Sequence, residues 1–167
     1  KGFYEGERSV ARQHFGLEDD LPALLIFGGS LGARSINRAI LKIIRQLLPE
    51  MYVIHITGKS DWEEVRLGKE QIQRVDSHLA DRYQLYEYLH EDMPLALRAA
   101  DLVVCRSGAS VLGELPAIGV AAILVPYPYA WRYQETNAAY LVKHGAAIML
   151  KDEELQEKFL STIVNCI

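Results

Sequence analysis

Short unbroken apolar runs alternate along this chain with longer stretches whose apolar residues recur every three or four positions. The first run is Ala23-Leu24-Leu25-Ile26-Phe27, closed by Gly28-Gly29. A run with no polar alternation fits a strand buried on both faces, as in a parallel sheet. Behind it, Ile36, Ala39, Ile40, Ile43, Ile44, Leu47 and Leu48 share one helical face, and Pro49 ends the pattern. Further strands are predicted over 51–56, 83–88, 102–105, 121–125 and 146–150. Helices are predicted over 61–80, over 92–100 with Pro94 in the first turn, and over 109–118 with Pro116 late and Gly119 closing it. Two more follow: one over about 133–143 with Gly145 beyond, and a last one capped by Asp152. Lys1–Glu5 reads as linker. The alternation predicts an α/β fold, a Rossmann-like, doubly wound parallel sheet with helices on both faces. Ligands of such sheets bind beyond the carboxyl ends of the strands, so the loops there are where chemistry is expected.

Composition narrows this picture. With 167 residues, half of them hydrophobic, residues 1–167 are expected to form one domain with its own core. A net charge of −4 argues against a nucleic-acid partner, which calls for a basic surface. Cys105 and Cys166 are too few and too far apart for a metal site or a disulfide framework, and the five histidines are scattered, so no metal and no cofactor are expected. A reducing compartment is the natural setting. No apolar run reaches membrane-spanning length, and the first residues are not a signal peptide. The chain starts without methionine and stops inside an apolar helical pattern, so a fragment trimmed at both ends is expected.

Three constellations could carry chemistry. Gly28-Gly29-Ser30-Leu31-Gly32-Ala33-Arg34 joins the first strand to its helix. Glycines let the backbone approach a ligand, and a helix start offers free N–H groups to a phosphate; a tight turn with no ligand would look the same. The glycine spacing is wrong for Gly-x-Gly-x-x-Gly, and the second strand ends in Ile56-Thr57-Gly58-Lys59 without the acid a nicotinamide dinucleotide needs. Gly58-Lys59-Ser60 fails as a P-loop because Val53 stands where a glycine is required. The second constellation is Arg106-Ser107-Gly108-Ala109-Ser110-Val111-Leu112-Gly113-Glu114. Ser107 is expected to cap the helix, the N–H groups of Ala109, Ser110 and Val111 to face an anion, and Glu114, one turn past Ser110, to accept two ribose hydroxyls. The alternative is a capped helix with Glu114 solvated. The third runs from Tyr127 to Asn137, where Tyr129, Trp131, Tyr133, Gln134 and Asn137 offer the aromatic faces and amides that hold sugars; a proline-rich surface loop is the plainer reading.

These segments resemble the MurG family of bacterial N-acetylglucosaminyltransferases. Residues 28–37 are similar to its glycine loop, and Ala100 to Ala109 with Glu114 to its second motif. Gln134-Glu135-Thr136-Asn137-Ala138 is similar to its third motif, and Tyr88 to Met93 to the loop before its fifth helix. The resemblance implies half of a GT-B fold, the C-terminal half that binds UDP-N-acetylglucosamine. It implies that the Leu89 backbone reads uracil and that Glu114 holds the ribose. Gly29, Ser30, Leu31 and Gly32, with the start of the helix from Ser107 and Gly108 through Ala109, Ser110 and Val111, would hold the diphosphate. Gln134 would contact the sugar hydroxyls beside Tyr133 and Asn137. Tyr133 departs from the family, which has His or Gln there, and Ala121 stands where proline is usual.

It further implies an inverting transfer of N-acetylglucosamine to lipid I, giving lipid II for peptidoglycan, at the cytoplasmic face of the membrane. The acceptor site and the proposed base would lie in an N-terminal half outside this chain, so no catalytic residue is expected here. A split donor-binding subunit, or another GT-B enzyme such as a glycolipid galactosyltransferase or a UDP-sugar epimerase, remains an alternative. A dinucleotide oxidoreductase is disfavoured at Thr57-Gly58.

Overall fold

The computed structural model describes residues 8–17, 20–29, 33–130 and 133–167. Six parallel strands, β1 (Ala23–Phe27), β2 (Tyr52–Ile56), β3 (Tyr83–Tyr86), β4 (Leu102–Cys105), β5 (Ala121–Leu124) and β6 (Ala147–Met149), form one sheet in the order β3-β2-β1-β4-β5-β6. This is the doubly wound Rossmann order, as the alternation predicts. The chain winds outward from β1 to β3, then returns to β4 on the other side of β1. In register, Phe27 lies between Ile56 and Cys105, so the strand order reverses where β1 and β4 end together.

The helices are α1 (Arg8–His14), α2 (Arg34–Leu47), α3 (Trp62–Val75), α4 (Ser77–Asp81), α5 (Met93–Ala99), α6 (Val111–Ile118), α7 (Tyr133–Lys143) and α8 (Leu155–Val164). They cover both faces because consecutive strand residues point opposite ways. Leu24 and Ile26 pack with Ile36 and Ile40 of α2, Val65 of α3 and Phe159 of α8. Ala23 and Leu25 pack with Ala11 of α1, Leu97 of α5, Leu115 of α6 and Leu141 of α7. Both sets are buried, which is why the first strand shows no polar position.

The boundaries depart from expectation where side chains intervene. The stretch 61–80 is not one helix. Asp76 breaks it with an extended backbone, and its carboxylate accepts the Leu79 N–H at 3.1 Å to start α4. The third strand stops at Tyr86, short of Tyr88. Helix α1, absent from the sequence reading, buries Ala11, and Phe15 and Leu17 continue that contact beyond its end. Its seven residues bury only that one alanine, so no helical periodicity marks it. The end of α7 bears out Gly145. That residue is left-handed (φ 69°), and Ala146 and Gly145 donate to the carbonyls of Leu141 and Val142, closing a Schellman motif.

Asp152 does not cap the last helix. A 3₁₀ turn over Asp152–Glu154 precedes α8, and the Glu154 carboxylate accepts the Lys151 N–H at 3.0 Å. Asp152 is drawn instead to Arg106 at the end of β4, with β5 lying between that strand and β6.

Candidate functional site

At the reversal of strand order the loops after β1 and β4 diverge and leave a cavity of about 760 Å³. Gly28 and Gly29 form one rim, with Gly29 left-handed at φ 88°, a conformation open to glycine and strained for other residues. Gly108, Ser110 and Val111 form the opposite rim, Tyr127, Pro128, Tyr129 and Gln134 a third side, and Ser35, Arg34 and Arg38 of α2 the floor.

The β4 rim is organised differently from the expectation. Ser107 is no helix cap. It is fully buried, and its hydroxyl donates to the Gln134 carbonyl at 2.7 Å. Asn137 Nδ2 donates back to the Ser107 carbonyl at 3.0 Å, so the start of α7 is stitched to the end of β4. Helix α6 begins two residues later than expected, at Val111, after a tight turn. The N–H groups of Val111 and Leu112 make long bonds of 3.3 Å to the carbonyls of Gly108 and Ala109. Those of Ala109 and Ser110 have no acceptor among the described residues. The free donors therefore sit in the turn itself, beside the cavity, at the positive end of α6.

Glu114 is half-buried one turn into α6. Its charge adds to burial, the larger cause, in holding the Cys105 thiol well above its usual pKa. Cys105 is thus a protonated core residue. Gln134 lines the cavity with its Oε1 already accepting the Tyr127 N–H at 2.9 Å, so its amide hydrogens are what it can offer a ligand.

Two polar clusters hold the α2 floor, and the sequence reading assigned neither. In the first, Arg106 Nη1 donates to Asp152 Oδ1 at 2.5 Å and to the carbonyls of Val125 and Pro126, while Nη2 donates to Ser35 Oγ at 2.7 Å. Ser35 Oγ in turn donates to Asp152 Oδ1. The Arg106 guanidinium also lies over the Tyr127 ring, 5.3 Å from its centroid. One side chain so ties the ends of β4 and β5 to α2 and to the turn before α8.

The second cluster is buried. Asn37 Nδ2 donates to the Thr57 carbonyl and to Asp61 Oδ2, both at 2.9 Å. Asn37 Oδ1 must then accept from His55 Nε2, and His55 Nδ1 accepts from the Tyr83 hydroxyl, each at 2.9 Å. Burial pushes the His55 pKa down to about 3, outweighing the nearby Asp61, so the ring is neutral; burial likewise keeps the Tyr83 hydroxyl protonated. Asp61 Oδ1 accepts from Arg34 Nε at 2.9 Å. Asp61 is the first carboxylate after β2 and is committed here, which extends the case against a dinucleotide ribose at that strand end. The signals for this cluster were present in the sequence, a histidine within Tyr52-Val53-Ile54-His55-Ile56 and an asparagine on the apolar face of α2, but its partners lie 18 to 28 residues apart.

Of the predicted site residues, the structure gathers Gly29, Gly108, Ser110, Val111 and Gln134 around one cavity. Ser107 and Asn137 lie beneath it as the stitch just described. Ala109 is in the turn at its edge. Leu89 is half-buried after β3 and packs toward the α1, α5 and α6 side of the sheet. Tyr133 is 74% exposed and is not brought into the cavity wall. Ser30, Leu31, Gly32 and Trp131 lie outside the described residues.

A Rossmann-type sheet with its cleft at the reversal of strand order defines the class, a doubly wound α/β domain. Comparison with known proteins defines the family. Residues 23–167 match the glycosyltransferase family 28 C-terminal domain, and the chain belongs to that family. It is 46% identical, over 92% of its length, to a UDP-N-acetylglucosamine–N-acetylmuramyl-(pentapeptide) pyrophosphoryl-undecaprenol N-acetylglucosamine transferase of Roseiflexus sp. strain RS-1, of which it spans 37%. An enzyme of the same name from Chlorobium limicola is 40% identical over 98% of the chain and is spanned to 43%. The crystal structure of Acinetobacter baumannii MurG superposes with a TM-score of 0.70 at 29% identity, covering 98% of this chain and 46% of that one. The chain thus spans less than half the length of each of these relatives.

Proposed function

We propose that this chain is the donor-binding half of a two-domain inverting glycosyltransferase. It binds UDP-N-acetylglucosamine for transfer to lipid I, the reaction that yields lipid II for peptidoglycan. In this reading residues 1–167 are one domain, the C-terminal half of a GT-B enzyme working at the cytoplasmic face of the membrane. The observation that carries the reading is the pairing of two strand-to-helix turns, Gly28-Gly29 and Ser107 to Val111, across one cavity where the strand order reverses. The relatives' names supply the sugar and the acceptor.

The diphosphate is placed against the free N–H groups of Ala109 and Ser110 and the glycine turn with Gly29, Ser30, Leu31 and Gly32. Glu114 accepts the ribose hydroxyls, and the Leu89 backbone meets the uracil. Gln134 donates to the sugar hydroxyls, with Asn137 behind it and Tyr133 at the outer edge. In the transfer, an acceptor hydroxyl oxygen bonds to the anomeric carbon as the bond from that carbon to the β-phosphate oxygen breaks. UDP leaves with the electron pair, and the hydroxyl proton goes to a base outside this chain. The N–H groups at the α6 turn stabilise the charge that grows on the leaving diphosphate. Calorimetric titration with UDP-N-acetylglucosamine, UDP-galactose and NAD tests the reading. Heat with the first, less with the second and none with NAD is expected; binding of NAD without a response to either UDP-sugar would overturn it.

A further inference from the structure

Three arginines line the cavity on its α2 side, and two of them are spent. Arg38 grips both carboxylate oxygens of Glu64, and Arg106 is committed to Asp152, Ser35 and two carbonyls. Arg34 differs. It is bonded through Nε alone, to Asp61 Oδ1 at 2.9 Å, its side chain is 62% exposed, and neither terminal nitrogen has a partner among the described residues. Its anchor is rigid. Asp61 is 4% exposed and is held from behind by Asn37, which is held in turn by His55 and Tyr83. With Nε occupied, the guanidinium keeps its Nη1–Nη2 edge, the edge that matches a pair of phosphate oxygens. On the opposite rim stand the free N–H groups of Ala109 and Ser110. Hydrogen-bond donors without acceptors thus converge on the cavity from two sides.

Resting on the nucleotide reading above, we infer that Arg34 is a further donor-binding residue, whose terminal nitrogens take phosphate oxygens of a nucleoside diphosphate. Asp61, Asn37, His55 and Tyr83 then act as positioning residues that aim it. A lysine cannot replace it, because one ammonium cannot both hold Asp61 and reach a phosphate across the cavity.

The test compares the affinities of uridine and UDP for the full chain and for the Arg34→Gln and Arg34→Lys variants. The unsubstituted protein should prefer UDP strongly. Arg34→Gln should cut that preference roughly tenfold, the loss expected for charge-assisted hydrogen bonds, while uridine binds as before. Arg34→Lys should lie between. If Arg34→Gln also loses uridine, its fold has failed and the Arg34→Lys ratio decides. An unchanged ratio in the folded variants removes the role of Arg34 and leaves the nucleotide site standing. An unsubstituted protein that binds UDP no better than uridine removes the diphosphate reading itself.

Discussion

Replacing Asp152 by asparagine keeps the shape of the side chain and removes one charge from the Arg106 cluster. Arg106 is 10% exposed and Asp152 23%. Removing one partner from a fully buried pair costs about 3–5 kcal/mol, because the other charge stays behind in a poor solvent. Here Asp152 is partly wet, and Arg106 keeps the carbonyls of Val125 and Pro126 and the hydroxyl of Ser35. Both features reduce the cost, to about 2 kcal/mol. Urea unfolding followed by circular dichroism reads this directly. With a slope of about 2 kcal/mol per molar urea, the midpoint should fall by about 1 M. Lys158→Gln, which breaks the exposed pair with Glu154, should move it by no more than about 0.2 M. If Asp152→Asn moves the midpoint as little as Lys158→Gln, the cluster is an ordinary surface ion pair and not the tie between β4, α2 and the turn before α8.

Three further outcomes are expected. His55 has a folded-state pKa of about 3 and an ordinary value near 6.5, so the unfolded chain takes up a proton that the folded chain refuses; its contribution is whole above pH 6.5 and is lost as pH falls toward 3. Urea midpoints at pH 7, 6 and 5 should therefore decline less steeply in His55→Gln than in the unsubstituted protein, and equal slopes would contradict the neutral ring. Ser107→Ala should cost about 1–2 kcal/mol by leaving the Gln134 carbonyl without its buried donor, and calorimetry should show weaker UDP-sugar binding with it; a loss of stability confined to the frayed start of α6, read by amide exchange, would restore the capping role. Glu114→Ala should weaken UDP binding about tenfold and leave the unfolding free energy, read by urea, within about 0.5 kcal/mol, since no described residue bonds its carboxylate; unchanged affinity would remove it from the ribose.

The features legible in the sequence are those that depend on local pattern. The strands β1 and β4 could be read because both their faces are buried, which leaves an apolar run with sharp ends. The site's two turns were legible because each joins such a strand to an amphipathic helix through glycine. Contacts between distant segments were not. Ser107 looks like a cap to anyone reading Ser-Gly-Ala-Ser before a helix, but the start of α7, 27 residues on, supplies a better acceptor for its hydroxyl. Asp152 stands before a helical pattern and reads as its cap, until β4 brings Arg106 against it across 46 residues. The hydrogen-bonded chain from Tyr83 to Arg34 crosses two strands, a helix and a 3₁₀ turn over Lys59–Asp61, and its members share no spacing. Short α1 escaped for the opposite reason, having too little buried surface to imprint a period.

The most direct test of the central claim is a titration of the ¹⁵N-labelled chain with UDP-N-acetylglucosamine, followed by amide chemical shifts. The account predicts that the largest changes fall on Gly29, Ala109, Ser110 and Val111, with smaller ones at Glu114 and Gln134, and that NAD leaves these signals in place. Shifts confined to another surface, or the same pattern produced by NAD and not by the UDP-sugar, would contradict it.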